Sequence, residues 1–192
     1  MKENLIPELI KKRIIFLYST IDEDSAKEIN EAIYRVNLYD DKKEKKVVGY
    51  ERKPIQIHIN SYGGSVYDGF AIVNAIELSK TPIYTVASGA CMSMGLIILL
   101  AAHKKFMHPN ATLMYHEISS GVSQDSLEGH KRNVTEMERL QGIMDSYLIK
   151  QTTVKMSELK KIRASMMDWY IDEKQAIKYK MIDKVVNSLY DI

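Results

Sequence analysis

The chain has 192 residues, enough for one domain, with 45% hydrophobic and 27% charged residues, an ordinary balance for a globular protein that buries about 70% of its unfolded surface. Its net charge of +2 is too small to argue for nucleic acid as a partner. The single cysteine, Cys91, permits no internal disulfide and fits a reducing compartment.

The opening MKENLIPELIKKR is interrupted by charges and holds no apolar run long enough for a signal peptide. Leu5 to Lys12 reads as a short helix and Arg13 to Tyr18 as a strand. Ser25 to Leu38 carries Ala26, Ile29, Ile33 and Val36 at helical spacing, with Asp24 as the expected N-cap. Asp40 to Lys53 (DDKKEKKVVGYERK) is expected to be a solvated, mobile loop, its acids mixed with its bases. Pro54 to Asn60 alternates Ile55, Ile57 and Ile59, a strand pattern. Gly63-Gly64 turns into a helix over Ser65 to Ser79.

Pro82 to Val86 then reads as a short strand, Ala87 to Ala90 as a tight small-residue turn, and Cys91 as the start of an apolar helix. Thr81 to Ala102 carries no charge and has the length of a membrane span, about 20 residues. Pro82, Thr85, Ser88, Gly89, Ser93 and Gly95 crowd its first part, and the continuously apolar piece, Leu96 to Ala102, is too short. It is a buried strand and helix. Thr112 to Tyr115 is another strand. Ser123 to Thr152 is a long helix with Leu127, Val134, Met137, Leu140, Met144 and Leu148 on one stripe. Met156 to Met166 forms a shorter helix, Asp172 with Gln175 starts the next, and Met181 to Val186 closes as a strand. The strand–turn–helix rhythm, repeated twice before Leu100, predicts an α/β fold with parallel strands.

Four features bear on chemistry. Ser93 sits in the expected first helical turn, where backbone N–H groups and the positive helix end favour developing negative charge. An acyl-transfer nucleophile needs that geometry, and a small residue packed in a buried helix would read the same way. Cys91, two residues earlier, is either a nucleophile itself or a small apolar residue at the helix start. Gly63-Gly64 is either a turn needing positive φ or a backbone that approaches a substrate carbonyl; it lacks the G-x-G-x-x-G or Walker pattern of a nucleotide loop. Among five histidines, His58 lies opposite Ile57 and Ile59 on its strand and reads as structural. His103 and His108 flank a lysine-containing turn and His130 is on the long helix. His116 ends an apolar strand, where a scaffold can aim it at Ser93.

Several short motifs occur together: Arg13-Ile14-Ile15-Phe16-Leu17, then Ile59-Asn60-Ser61-Tyr62-Gly63-Gly64-Ser65-Val66, then Ser93-Met94-Gly95 inside an apolar helix. Pro109-Asn110-Ala111 leads to Met114-Tyr115-His116, and Asp168-Trp169-Tyr170-Ile171 is followed by Glu173 to Asp183 (EKQAIKYKMID). In this order and spacing, over almost the whole chain, they resemble the proteolytic subunit of the Clp protease, ClpP.

The resemblance implies a ClpP/crotonase-like repeated ββα spiral core in a single domain, residues 1–192, with a strand–helix handle at about 119–152. It implies a serine endopeptidase in which Ser93 attacks, His116 acts as base and Asp168 orients it, with Gly64 and Met94 N–H groups as the oxyanion hole. Asp168 alone would read as a turn residue or cap; the resemblance selects it. No cofactor or metal is implied. The implied assembly is two stacked heptameric rings, a tetradecamer, with Gly121 to Gly129 near the ring junction. The implied partners are unfolded polypeptides and a hexameric AAA+ unfoldase, in the cytoplasm, without nucleic acid or membrane. Tyr62 stands where the family usually has proline, and Glu117-Ile118 where it has glutamine and proline. Only Met1 to about Glu8 precede the aligned region, and Asp40 to Lys53 adds charge, so coupling to an ATPase is expected to be weaker or altered. A crotonase acting on CoA thioesters shares this fold but would not need Ser93, His116 and Asp168 together. A catalytically silent ring or scaffold subunit is the other alternative.

Overall fold

The computed structural model describes residues 13–119, 121, 125–165, 167–188 and 191–192. The expected helix at Leu5 to Lys12, the short segment before it and part of the expected ring-junction segment lie outside them. The described elements are β1 (Ile14–Leu17), α1 (Glu23–Glu44), β2 (Ile55–Ser61), α2 (Val66–Glu77), β3 (Ile83–Met92), α3 (Met94–Leu100), β4 (Lys104–Met107) and β5 (Thr112–Tyr115). After these come α4 (Leu127–Gln151), α5 (Met156–Ala164), β6 (Trp169–Ile171), α6 (Glu173–Lys178) and β7 (Lys184–Val185). Strands β1, β2, β3, β4 and β7 form a parallel sheet in that order. The α/β expectation with parallel strands therefore holds. Among the described residues no helix is long and apolar enough to cross a membrane.

β3 is longer than expected, because Ser88, Gly89 and Ala90 continue the strand instead of turning. Its first half pairs with β4, from Tyr84 opposite Lys104 to Ala87 opposite Met107. Its second half pairs with β5, from Ala90 opposite Thr112 to Met92 opposite Met114. On the other side, the pairing with β2 shifts register between Ile59 and Ser61. At that shift the Asn60 side-chain oxygen accepts from the Ala90 N–H at 2.9 Å, a bond the displaced backbone does not make. A Cβ on Gly89 would lie 2.5 Å from the same oxygen. The small residues are there for this close approach. β6 completes the branch, antiparallel to β5.

β4 takes the place of the lysine-containing turn expected between His103 and His108. Lys104 is exposed while Phe106 and Met107 are buried, and four residues with two lysines at the entry give no alternation to recognise. β6 was equally hidden, at only three residues.

The largest correction concerns α1. Asp22, not Asp24, is its N-cap, in a reciprocal box with Ser25: the Ser25 N–H donates to Asp22 Oδ1 at 2.9 Å and the Asp22 N–H to Ser25 Oγ at 2.9 Å. The helix runs to Glu44, well past Leu38, because its buried face continues from Ala26, Ile29, Ile33 and Val36 to Asp40. Asp40 is fully buried. Arg13 bonds its two oxygens at 2.7 and 2.5 Å, Tyr50 donates to it at 2.6 Å and Thr81 at 2.7 Å. Arg52 grips Glu44 at 2.6 Å and Asp41 at 2.5 Å. The segment expected to be a mobile loop is thus a helix end and a return strap pinned by ion pairs.

Burial would raise the Asp40 carboxyl, but bonds from Arg13, Tyr50 and Thr81 outweigh it and bring the group down to about 2. A carboxylate lowered on folding contributes stability above its unfolded value near 3.9, lost as pH falls from there toward about 2. Asp40→Ala leaves the Arg13 guanidinium, 12% exposed, without its carboxylate, with only the Lys53 carbonyl and the Tyr50 hydroxyl as acceptors. It should cost about 3–5 kcal/mol, read as a lower denaturant midpoint. A loss within experimental error would show that the cluster contributes nothing net.

Candidate active site

The fork in β3 builds the site. Its second half ends at Met92, beside the end of β5, so Ser93 emerges next to Met114 and His116. The Ser93 N–H donates to the Met114 carbonyl at 2.8 Å, and the Ser93 carbonyl accepts from Leu96 at 3.0 Å. Held at both ends, Ser93 takes φ 53° and ψ −122°, a left-handed conformation that costs a non-glycine residue about 1–3 kcal/mol. Such a sharp strand-to-helix turn presents a nucleophile's hydroxyl free of its own backbone. The His116 Nε2 lies 2.9 Å from Ser93 Oγ, within the reach that proton transfer requires. The first two members of the expected constellation are therefore hydrogen-bonded to each other.

The glycine pair passes directly over this turn. Gly63 has φ 103° and Gly64 φ 152°. A Cβ on Gly63 would stand 2.6 Å from Ser93 Cβ and 3.1 Å from its Oγ, and one on Gly64 would stand 2.2 Å from the Ile21 carbonyl oxygen. Gly64 is fixed from behind: Ile21 donates to the Gly63 carbonyl at 3.0 Å and accepts from Ser65 at 2.8 Å. Among the described residues, neither the Gly64 N–H nor the Met94 N–H has a hydrogen-bond acceptor. The Met94 side chain is buried and closely apposed to Gly69 of α2, so the first residue of α3 is held while its N–H stays available.

Asp168 stands differently. β5 and β6 pair in the register Leu113–Ile171, Met114–Tyr170 and Tyr115–Trp169. Continued by one step, that register sets Asp168 across from His116. Its side chain is exposed and accepts from the Tyr170 hydroxyl at 3.5 Å. Among the described residues no hydrogen bond joins Asp168 to His116.

Other candidates fall into place as packing residues. Cys91 is fully buried, donates to the Gly95 carbonyl at 3.3 Å, and burial pushes its thiol up. It cannot serve as an accessible thiolate. His58 is 7% exposed, with Ser88 Oγ 3.4 Å from one ring nitrogen and Gln56 Oε1 3.3 Å from the other. Burial first, and then the neighbouring His108, lower it to about 4. It is a neutral core histidine. His103 is exposed and accepts from the Ile83 N–H at 3.1 Å, while His108 is half-buried.

A groove of about 530 Å³ opens beside the residues that follow His116, with Glu117, Ile118, Gln141, Met156 and Arg163 in its lining. One wall of it belongs to a polar cluster that the sequence reading missed: Gln141, Asp145 and Arg163, joined by Tyr115. The signal was present as Gln141 and Asp145, spaced one turn apart beside Leu140, Met144 and Leu148 on the apolar stripe of α4. Among the described residues no group of three or more His, Cys, Asp or Glu side chains is placed to hold a metal.

The family model for Clp protease matches residues 2–189. The ATP-dependent Clp protease proteolytic subunit of Deinococcus radiodurans is 29% identical over 188 residues, covering 96% of this chain and 85% of its own. Proteolytic subunit 1 of Streptomyces avermitilis is 30% identical over 192 residues, covering 99% and 82%. Among solved structures, a mutant of ClpP1 from Listeria monocytogenes superposes with a TM-score of 0.80 over 97% of this chain and 98% of that one, at 22% identity. That likeness establishes the ClpP fold. With the family model spanning all but the extreme ends, the chain belongs to the Clp protease family.

Proposed function

We propose that this chain is a serine endopeptidase, the proteolytic subunit of a Clp-type protease. The observation that carries the reading is the Ser93–His116 hydrogen bond at 2.9 Å; the backbone N–H groups of Gly64 and Met94, which have no acceptor among the described residues, support it. Its relatives are named proteolytic subunits, which supports the same reaction class.

In the mechanism, Ser93 Oγ attacks the scissile carbonyl while His116 Nε2 takes its proton. The Gly64 and Met94 N–H groups receive the oxyanion. His116 then protonates the leaving amine, the acyl-enzyme is hydrolysed by water activated at the same nitrogen, and Asp168 orients the ring and stabilises its cationic form. Hydrolysis of a short fluorogenic peptide, with and without Ser93→Ala, tests the reading.

Assembly is part of the same proposal: a tetradecamer of two stacked heptamers in the cytoplasm, enclosing the sites and receiving unfolded polypeptide, with a hexameric AAA+ ATPase as the feeding partner. The first half of α4 supports it. Its residues before Leu140 are mostly exposed, including Leu127 at 71% and Val134 at 55%, and the corresponding handle (about 119–152) would bury them between rings. Light scattering should give a mass near fourteen protomers of 22.1 kDa. A monomer or dimer that is active at every concentration would contradict it.

One observation favours a second reading. The Asp168 carboxylate bonds Tyr170 and not His116, as in a resting or silent subunit. An active wild-type protein disposes of the silent alternative.

A further inference from the structure

The cluster behind His116 is more polar than a helix stripe needs. Asp145 is 1% exposed, Tyr115 1% and Gln141 8%. The Tyr115 hydroxyl and the Gln141 amide both donate to Asp145 Oδ1, the latter at 2.8 Å, and Gln141 also donates to the Tyr115 oxygen at 3.0 Å. The other carboxylate oxygen takes the Arg163 guanidinium of α5. Burial, and then the bond to Asp145, push the Tyr115 phenol up, so it remains a neutral donor.

Burying an ion pair is a poor way to stabilise a helix face; apolar residues of similar volume are often as good or better. The neighbouring Leu140, Met144 and Leu148 do the packing. The location of the polar bonds is informative. Tyr115 is the residue before His116. On the other flank, the Ile118 N–H donates to Gln141 Oε1 at 2.7 Å. Both ends of the His116 segment therefore terminate on α4, one turn apart. Arg163 lies on the helix that leads into Asp168, so the same carboxylate also holds the chain that carries the third member.

Resting on the serine-peptidase reading above, we infer that Asp145 is the hub of a positioning cluster, with Tyr115, Gln141 and Arg163, that holds His116 in line with Ser93. None of these side chains touches the reacting atoms. Their effect is on the fraction of time the imidazole spends within proton-transfer distance. A displacement of about 1 Å at such a site costs on the order of a hundredfold in rate.

The test uses the full-length protein, a fluorogenic peptide, and a fluorophosphonate to count competent serines. Tyr115→Phe keeps the ring and removes the bond. Its kcat per titrated site should fall by roughly ten- to a hundredfold, with KM held within about twofold. Asp145→Ala should lose at least as much. Asp145→Asn combined with Arg163→Met keeps an acceptor for Tyr115 and Gln141 while removing both charges, and should return kcat to within about threefold of wild type. A purely structural cluster would lower the melting temperature or the number of titratable sites and leave kcat per site unchanged. That result, in Tyr115→Phe or Asp145→Ala, overturns the inference alone. If Tyr115→Phe does not fold, Gln141→Leu, which releases the Ile118 N–H, is read the same way. A wild-type chain with no Ser93-dependent turnover overturns the peptidase reading and the inference with it.

Discussion

Ser93→Ala is expected to reduce peptide hydrolysis by about 10⁶-fold, to the level that a serine protease retains when its nucleophile is removed. The structure argues that this loss would be chemical. Ser93 is the N-cap of α3 by position, but its hydroxyl makes no cap bond; its partner is His116. Removing it leaves no orphaned backbone donor that the hydroxyl had satisfied. The φ of 53° strains serine and alanine alike, and the space above Ser93 is closed by Gly63, so no large cavity opens. Melting temperature and oligomer mass should match wild type, while labelling by a fluorophosphonate disappears. Turnover at the wild-type rate in this variant would remove Ser93 from the mechanism. It would also leave the strained turn without a chemical reason.

How much of this was legible in the sequence depended on how local the cause was. Ile55, Ile57 and Ile59 announce β2 because alternation is a property of adjacent residues. Asp172 announces α6 because its cap bond reaches only to Gln175, at 2.8 Å. Ser88-Gly89-Ala90 misled because small residues signal a turn locally. Their true cause is Asn60, distant in sequence, whose side chain needs the room. The end of α1 was hidden for a similar reason. Asp40 reads as the first residue of a charged loop until Arg13, Tyr50 and Thr81 converge on it. The site divides along the same line. Ser93, His116 and the glycine pair stood out by motif and place on their elements. Whether His116 reaches Ser93 depends on the fork in β3, a pairing pattern no single segment displays. Asp145 looked like one more charge on a long helix because its partners come from β5, α4 and α5.

Asp168→Asn is expected to lower kcat by up to about 10⁴-fold, the loss when the orienting carboxylate of a serine protease is neutralised and the histidine takes the wrong tautomer. The argument rests on register. Directly opposed residues of an antiparallel pair have Cβ atoms about 5 Å apart, and the β5–β6 register continued one step sets Asp168 against His116. In the proposed mechanism the carboxylate would leave the Tyr170 hydroxyl, a long bond at 3.5 Å, and turn toward the second ring nitrogen of His116. Little opposes that rotation, because the side chain is exposed and its present bond is weak. Asparagine fits the same position but offers the imidazole no negative charge, and its NH2 can donate to the ring nitrogen and select the wrong tautomer. The defect should therefore fall on kcat with KM nearly unchanged. Stability should be unaffected, since an exposed residue with one weak bond contributes little to it. A variant within about tenfold of wild type would assign the orienting role elsewhere. The register of β6 would then serve only to close the sheet.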